Sequence, residues 1–158
     1  MALETLLTAL AASDLAQALR VSRWGYAAVN TSHVFGIALL VGAILPLDLR
    51  LFGVWRRVET ADLIRVLVPT AAAGLVLAVA SGLLLFAVRP IEYAANPAFL
   101  TKIALLGLGA ASAIATHLVW GRRVAQAPRM IQVRAAAVSL LCWVGALVAG
   151  RMIAYIGD

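Results

Sequence analysis

The chain has 158 residues, one domain's worth of protein, and 64% of them are hydrophobic, with a mean hydropathy of +0.99. Soluble domains hold roughly 45–50% apolar residues, so the composition excludes an ordinary soluble fold. The net charge of +6 is not a nucleic-acid signal, because only 13% of residues are charged and the arginines flank long uncharged runs, where membrane topology and anionic headgroups account for them.

The N-terminus lacks the basic start of a signal peptide, and Glu4 comes early. Leu3, Leu6, Leu7 and Leu10 recur at helical spacing, which predicts a short amphipathic helix over about 2–12 lying at a membrane interface. Ser13 or Asp14 then caps a second helix, with Gln17 three residues after Asp14.

A bilayer core of about 30 Å needs about 20 apolar residues per spanning helix. The first such stretch is 24–47, which carries Asn30, Thr31, Ser32 and His33 and leads through Pro46 to Asp48 and Arg50. The second, 66–88, is an uncharged run of 23 residues, preceded by a cap signal at Thr60-Ala61-Asp62 and interrupted by Pro69. Thr70, Gly74, Ala78 and Gly82 give it a smooth face for close helix packing. Asn96-Pro97 caps the third, 99–120, in which Gly109, Ala113 and Thr116 form a similar face. The fourth is 134–156, and Cys142 inside it, the single cysteine, excludes an intrachain disulfide. Four spans with short connections predict an all-α integral membrane protein of one domain, an up-down four-helix bundle with an N-terminal interfacial helix.

Arg50, Arg56, Arg57, Arg65, Arg122, Arg123, Arg129 and Arg134 put eight of the 13 basic residues on one side. The positive-inside rule then predicts that both termini face away from the cytoplasm. Trp24, Tyr26, Tyr93 and Tyr155 form an outer aromatic belt, and Phe52, Trp55 and Trp120 an inner one.

Polar groups inside a bilayer are costly and mark candidate sites. Lys102 opens an inward-running helix, so it can snorkel outward or pair with Glu92. Arg151 leans towards the bilayer centre, so it must curl back or find a partner such as Glu92, Asp158 or a ligand anion. His33 and His117 are the only histidines. Two imidazoles suggest haem b, but counting from either end at 1.5 Å per residue separates them in depth by about 15 Å. Two ligands of one iron should be nearly level, so the depths argue against one haem bridging both within a protomer. His33 can instead ligate haem iron with another axial group, or hydrogen-bond a quinone beside Asn30, with Gly36 clearing room one turn later. Its structural alternative is a neutral imidazole bonded to a neighbouring helix. His117, near Trp120 and Arg123, reads first as an interfacial residue. Asp48 and Arg50 read as a staple at the inner interface, the aspartate pairing with loop arginines. No Cys-x-x-Cys, paired carboxylates, phosphate loop or serine–histidine–acid set is present, so the chain does not read as an enzyme on its own.

Trp24, Tyr26, His33 and Gly36, the Asp48-Leu49-Arg50-Leu51-Phe52-Gly53 block, Ser81-Gly82-Leu83-Leu84-Leu85-Phe86, and Asn96-Pro97-Ala98-Phe99 with Lys102 and His117 together carry a resemblance. The chain resembles a family of small bacterial four-helix inner-membrane proteins, distantly similar to copper-resistance D and cytochrome b561-like proteins. The resemblance covers most of the chain and implies a haem or electron-transfer association. With two histidines the chain departs from the four-ligand, two-haem b561 pattern. Two expectations follow: a redox-associated protein binding haem b or quinone through His33, Asn30, Gly36, Arg151, Lys102 and His117, or a cofactor-free accessory subunit of a larger membrane complex or homo-oligomer.

Overall fold

A computed structural model describes residues 2–156 and is all-helical, with no strand among the described residues. The elements are α1 (Ala2–Ala11), α2 (Asp14–Val21), α3 (Arg23–Phe52), α4 (Thr60–Val88), α5 (Pro90–Ala95), α6 (Pro97–Trp120), a 3-10 turn (Gly121–Gln126) and α7 (Arg129–Met152). Helices α3, α4, α6 and α7 are each long and apolar enough to cross a membrane. Helix α1 buries none of its residues and touches α4 and α5, at the end of the molecule where α3 begins.

Local chemistry sets the boundaries. Ser13 caps α2 by accepting from the Ala16 N–H, and Asn96 caps α6 by accepting from Ala98 and Phe99, with Pro97 in the first turn. Where a cap was read at Thr60, the N-cap is Glu59, which makes no side-chain cap bond. The apolar stretch 24–47 lies within a longer helix, and the turn expected at 48–53 is itself helical up to Phe52. The helix runs through Pro46 and stops at Gly53, whose φ of 100° lies in the left-handed region. The Gly53 N–H donates to Arg50 and the Val54 N–H to Leu49, the paired closure that a glycine at this place allows. Helix α7 starts earlier than 134, because the extended backbone of Pro128 releases the chain into helix at Arg129. The short α5, opened by Pro90, has no counterpart in the hydropathy pattern.

Arg129 also finishes the far end of α3. Its guanidinium donates to the carbonyls of Leu51 and Phe52, groups a helix end leaves without partners. We expect Arg129→Ala to cost about 1–3 kcal/mol, the range for stranding bonded polar groups, read as a lower thermal midpoint in detergent. Lysine should restore only part of that loss, because it lacks the two-pronged fork.

Packing follows the small residues, and neighbours run antiparallel. Along α3 and α4, His33 meets Ala78 and Ser81, Gly36 meets Gly74 and Ala78, and Gly74 meets Leu40. Along α6 and α7, Lys102 meets Gly150, Leu105 meets Gly145, and Gly109 meets Cys142 and Trp143. Helix α3 also packs on α7. The order across the molecule is thus α4, α3, α7, α6, and no comparable seam joins α4 to α6. A cleft remains between them, capped at one end by the stacked rings of Phe86, Tyr93 and Phe99. The small faces of Gly74, Ala78 and Gly109 are used inside the chain, whereas Ala113 and Thr116 line the cleft.

Candidate functional site

The periodicity of α3 puts Tyr26, Asn30 and His33 on one stripe, spaced four and then three residues apart, and all three line a recess at the α5 end of the cleft. Gly82 and Phe86 of α4, Tyr93 of α5, Phe99 and Lys102 of α6, and Gly150 of α7 share its wall, with Arg20, Arg89 and Glu92 also lining it.

His33 is half-buried, and its Nδ1–H donates to the Ala78 carbonyl at 2.8 Å, with the Ser81 hydroxyl 3.2 Å from the same nitrogen. Ser81 is held in turn by donating to Leu77. A backbone carbonyl accepts only, so this bond selects the Nδ1–H tautomer and leaves Nε2 with its lone pair. The ring lies against Gly82: a Cβ there would stand 3.0 Å from the His33 Cε1. Gly82 therefore makes the room that lets the imidazole lie flat on α4.

Lys102 runs its aliphatic stem along Gly150, with Cδ, Cε and Nζ 3.4–3.6 Å from where a Cβ would stand. Its ammonium has no hydrogen-bond or ion-pair partner among the described residues. The expected Glu92 partner is engaged elsewhere, accepting from Arg89 at 3.2 Å. Arg20 donates to the Val88 carbonyl at the end of α4, which ties α2 to the rim. Burial pushes the Tyr93 phenol above its ordinary range, with the nearby Tyr26 adding to the shift, so it stays a neutral donor at the mouth.

The remaining expected site residues lie elsewhere. Gly36 is buried in the α3–α4 seam, where a Cβ would stand 2.6 Å from the Ala78 nitrogen, so it brings the backbones together instead of opening the recess. Arg151 is exposed and turned towards the end of the chain, donating to the Tyr155 hydroxyl at 3.0 Å and lying 5.2 Å over its ring. Its other expected partner, Asp158, lies outside the described residues. His117 lines a separate cavity towards the far end of the cleft. Asp48 makes no arginine pair among the described residues; it is buried and lines that same far cavity, while Arg50 donates to the carbonyls of Val58 and Arg56. The reason is helical phase: Asp48 shares the inward stripe of Leu40, Ala43 and Leu51.

Tyr26, Arg20, Arg89 and the Phe86–Tyr93–Phe99 stack were not read from the sequence as site residues; Tyr26 and Tyr93 were read as an aromatic belt. The stripe through residues 26, 30 and 33 was a usable signal for Tyr26, and the four-residue step from Gly82 for Phe86. Nothing in sequence spacing brings α2 and α5 to the rim. No family model, curated protein or solved structure matches the chain.

Proposed function

We propose that the chain is a four-helix, up-down bundle of the bacterial inner membrane, with periplasmic termini and α1 at the interface, that binds a quinone or haem b at His33. Four helices of sufficient length and apolarity, the antiparallel seams and the excess of arginine at one end support the membrane reading. The redox reading also draws on the resemblance to an uncharacterised family that is distantly similar to copper-resistance D and cytochrome b561-like proteins.

One observation carries the site. A backbone-oriented imidazole with a free Nε2 shares a recess with an unpartnered ammonium and a wall of stacked aromatic rings. Backbone fixation of the opposite ring nitrogen is how proteins commonly orient a histidine ligand. Haem b fits this arrangement only with His33 as its one imidazole: His117 lines the other cavity, and no methionine or cysteine is among the residues lining this one. A quinone head fits every group. Lys102 can donate to a quinone carbonyl, Nε2 can accept from a quinol hydroxyl, and Phe86 and Phe99 can stack on the ring. We therefore favour the quinone. Such a group carries electrons and protons between membrane partners, while the chain's own residues bind it, orient it and accept from a quinol hydroxyl at Nε2.

An optical spectrum separates the two cofactors. The purified protein in mild detergent should lack a Soret band and should bind a short-chain benzoquinone saturably. A Soret band that shifts on reduction and is lost in His33→Ala would assign haem instead. A colourless protein with no saturable quinone binding would refute both.

A further inference from the structure

The far end of the cleft holds a second cavity, of about 440 Å³, between α3, α4, α6 and α7. That is within the range of small-molecule sites. Its wall is mostly leucine, isoleucine and alanine, interrupted by Asp48, Ser112, Thr116, His117 and Ser139. Asp48 is only 4% exposed, and its Oδ2 has no hydrogen-bond partner. Ser139 lies beside the same carboxyl group. Arg65, the arginine of the wall among the described residues, is exposed and pairs weakly with Asp62, at 4.0 Å.

A buried carboxylate oxygen without a donor is costly. An ionised carboxylate only accepts, so the group that satisfies it must donate, and a cation does so most strongly. A bare metal ion is a poor match: no cluster of three or more acidic, histidine or cysteine ligands exists among the described residues, and most of the wall is apolar. We propose that this cavity binds a compact apolar molecule with a single protonated amine head, the ammonium donating to Asp48 and the apolar body filling the leucine-rich space. The hydroxyls of Ser112, Thr116 and Ser139 are further acceptors for the remaining N–H groups.

Calorimetry on the full-length protein in detergent tests this with two probes of nearly equal shape, 1-aminoadamantane, which is cationic, and 1-adamantanol, which is neutral. The amine should bind saturably at one site, and the alcohol at least about tenfold more weakly. Asp48→Asn should weaken the amine by a similar factor. Ala113→Phe, at an exposed position on the cavity wall, should block the amine while leaving Asp48 in place. That variant decides the matter if Asp48→Asn fails to fold, which circular dichroism would reveal. No saturable amine binding, equal binding of the alcohol, or unchanged binding in a folded Asp48→Asn or Ala113→Phe protein would each overturn the proposal.

Discussion

Gly36→Ala will separate the two helices that carry most of the candidate site. An ideal Cβ at Gly36 lies 2.6 Å from the Ala78 nitrogen and 3.0 Å from the Gly74 carbonyl oxygen. One at Gly74 lies 2.5 Å from the Leu40 nitrogen and 2.8 Å from the Gly36 oxygen. These obstacles are backbone, so no rotamer change relieves them and the helices must part. Overpacking costs about 1–3 kcal/mol, and with backbone as the obstacle we expect the upper end. The helix propensity gained by replacing glycine, about 1 kcal/mol, opposes the loss without cancelling it. Gly42 is the matched control: it lies in the same helix and nothing stands within 4 Å of its Cβ position. Gly42→Ala should therefore leave the thermal midpoint in detergent unchanged or raise it, while Gly36→Ala lowers it. Equal effects at the two positions would mean that the seam is not closely packed. The seam also holds the site, because the Ala78 carbonyl that orients His33 is part of the α4 turn against which Gly36 packs.

His33→Ala should abolish binding at the recess, and Lys102→Met should weaken it at least about tenfold, the value of one hydrogen bond to a charged group. The two substitutions act differently. Removing the imidazole takes away the Nε2 acceptor and leaves the Ala78 carbonyl without its donor, so His33→Ala also carries a stability loss of about 1 kcal/mol. Lys102 has no partner to strand, and methionine keeps the stem that packs along Gly150, so Lys102→Met should leave the thermal midpoint in place. Titration of each variant with a short-chain benzoquinone, beside a thermal melt, distinguishes lost contact from lost fold. Unchanged affinity in a folded Lys102→Met protein would remove the ammonium from the site.

Much of this was legible in the sequence where one physical term dominates. The need for about 20 uncharged residues marks each long helix, and the cap at Asn96 and the small faces of α4 follow from local rules. Helix ends were less so. Pro46 and Pro128 invite early or late boundaries, and the actual stop at Gly53 depends on a left-handed glycine together with an arginine arriving from α7. The site was half visible. His33, Asn30 and Lys102 do line one recess. Their neighbours Arg20 and Tyr93 come from elements brought to the rim by tertiary packing, which no periodicity reports. Asp48 was misjudged because Arg50 beside it suggests an interface, whereas its phase on α3 turns it inward. Arg151 takes one of the two courses that helix geometry leaves open: it curls back to Tyr155 one turn later and does not enter the recess.

The central claim, a quinone held at His33, is tested most directly by extracting the protein purified from membranes and measuring bound quinone by mass spectrometry. Quinone should co-purify near one per chain with the wild type and Gly42→Ala, and be lost from a folded His33→Ala protein. Equal quinone in wild type and His33→Ala, or none in either, would contradict it.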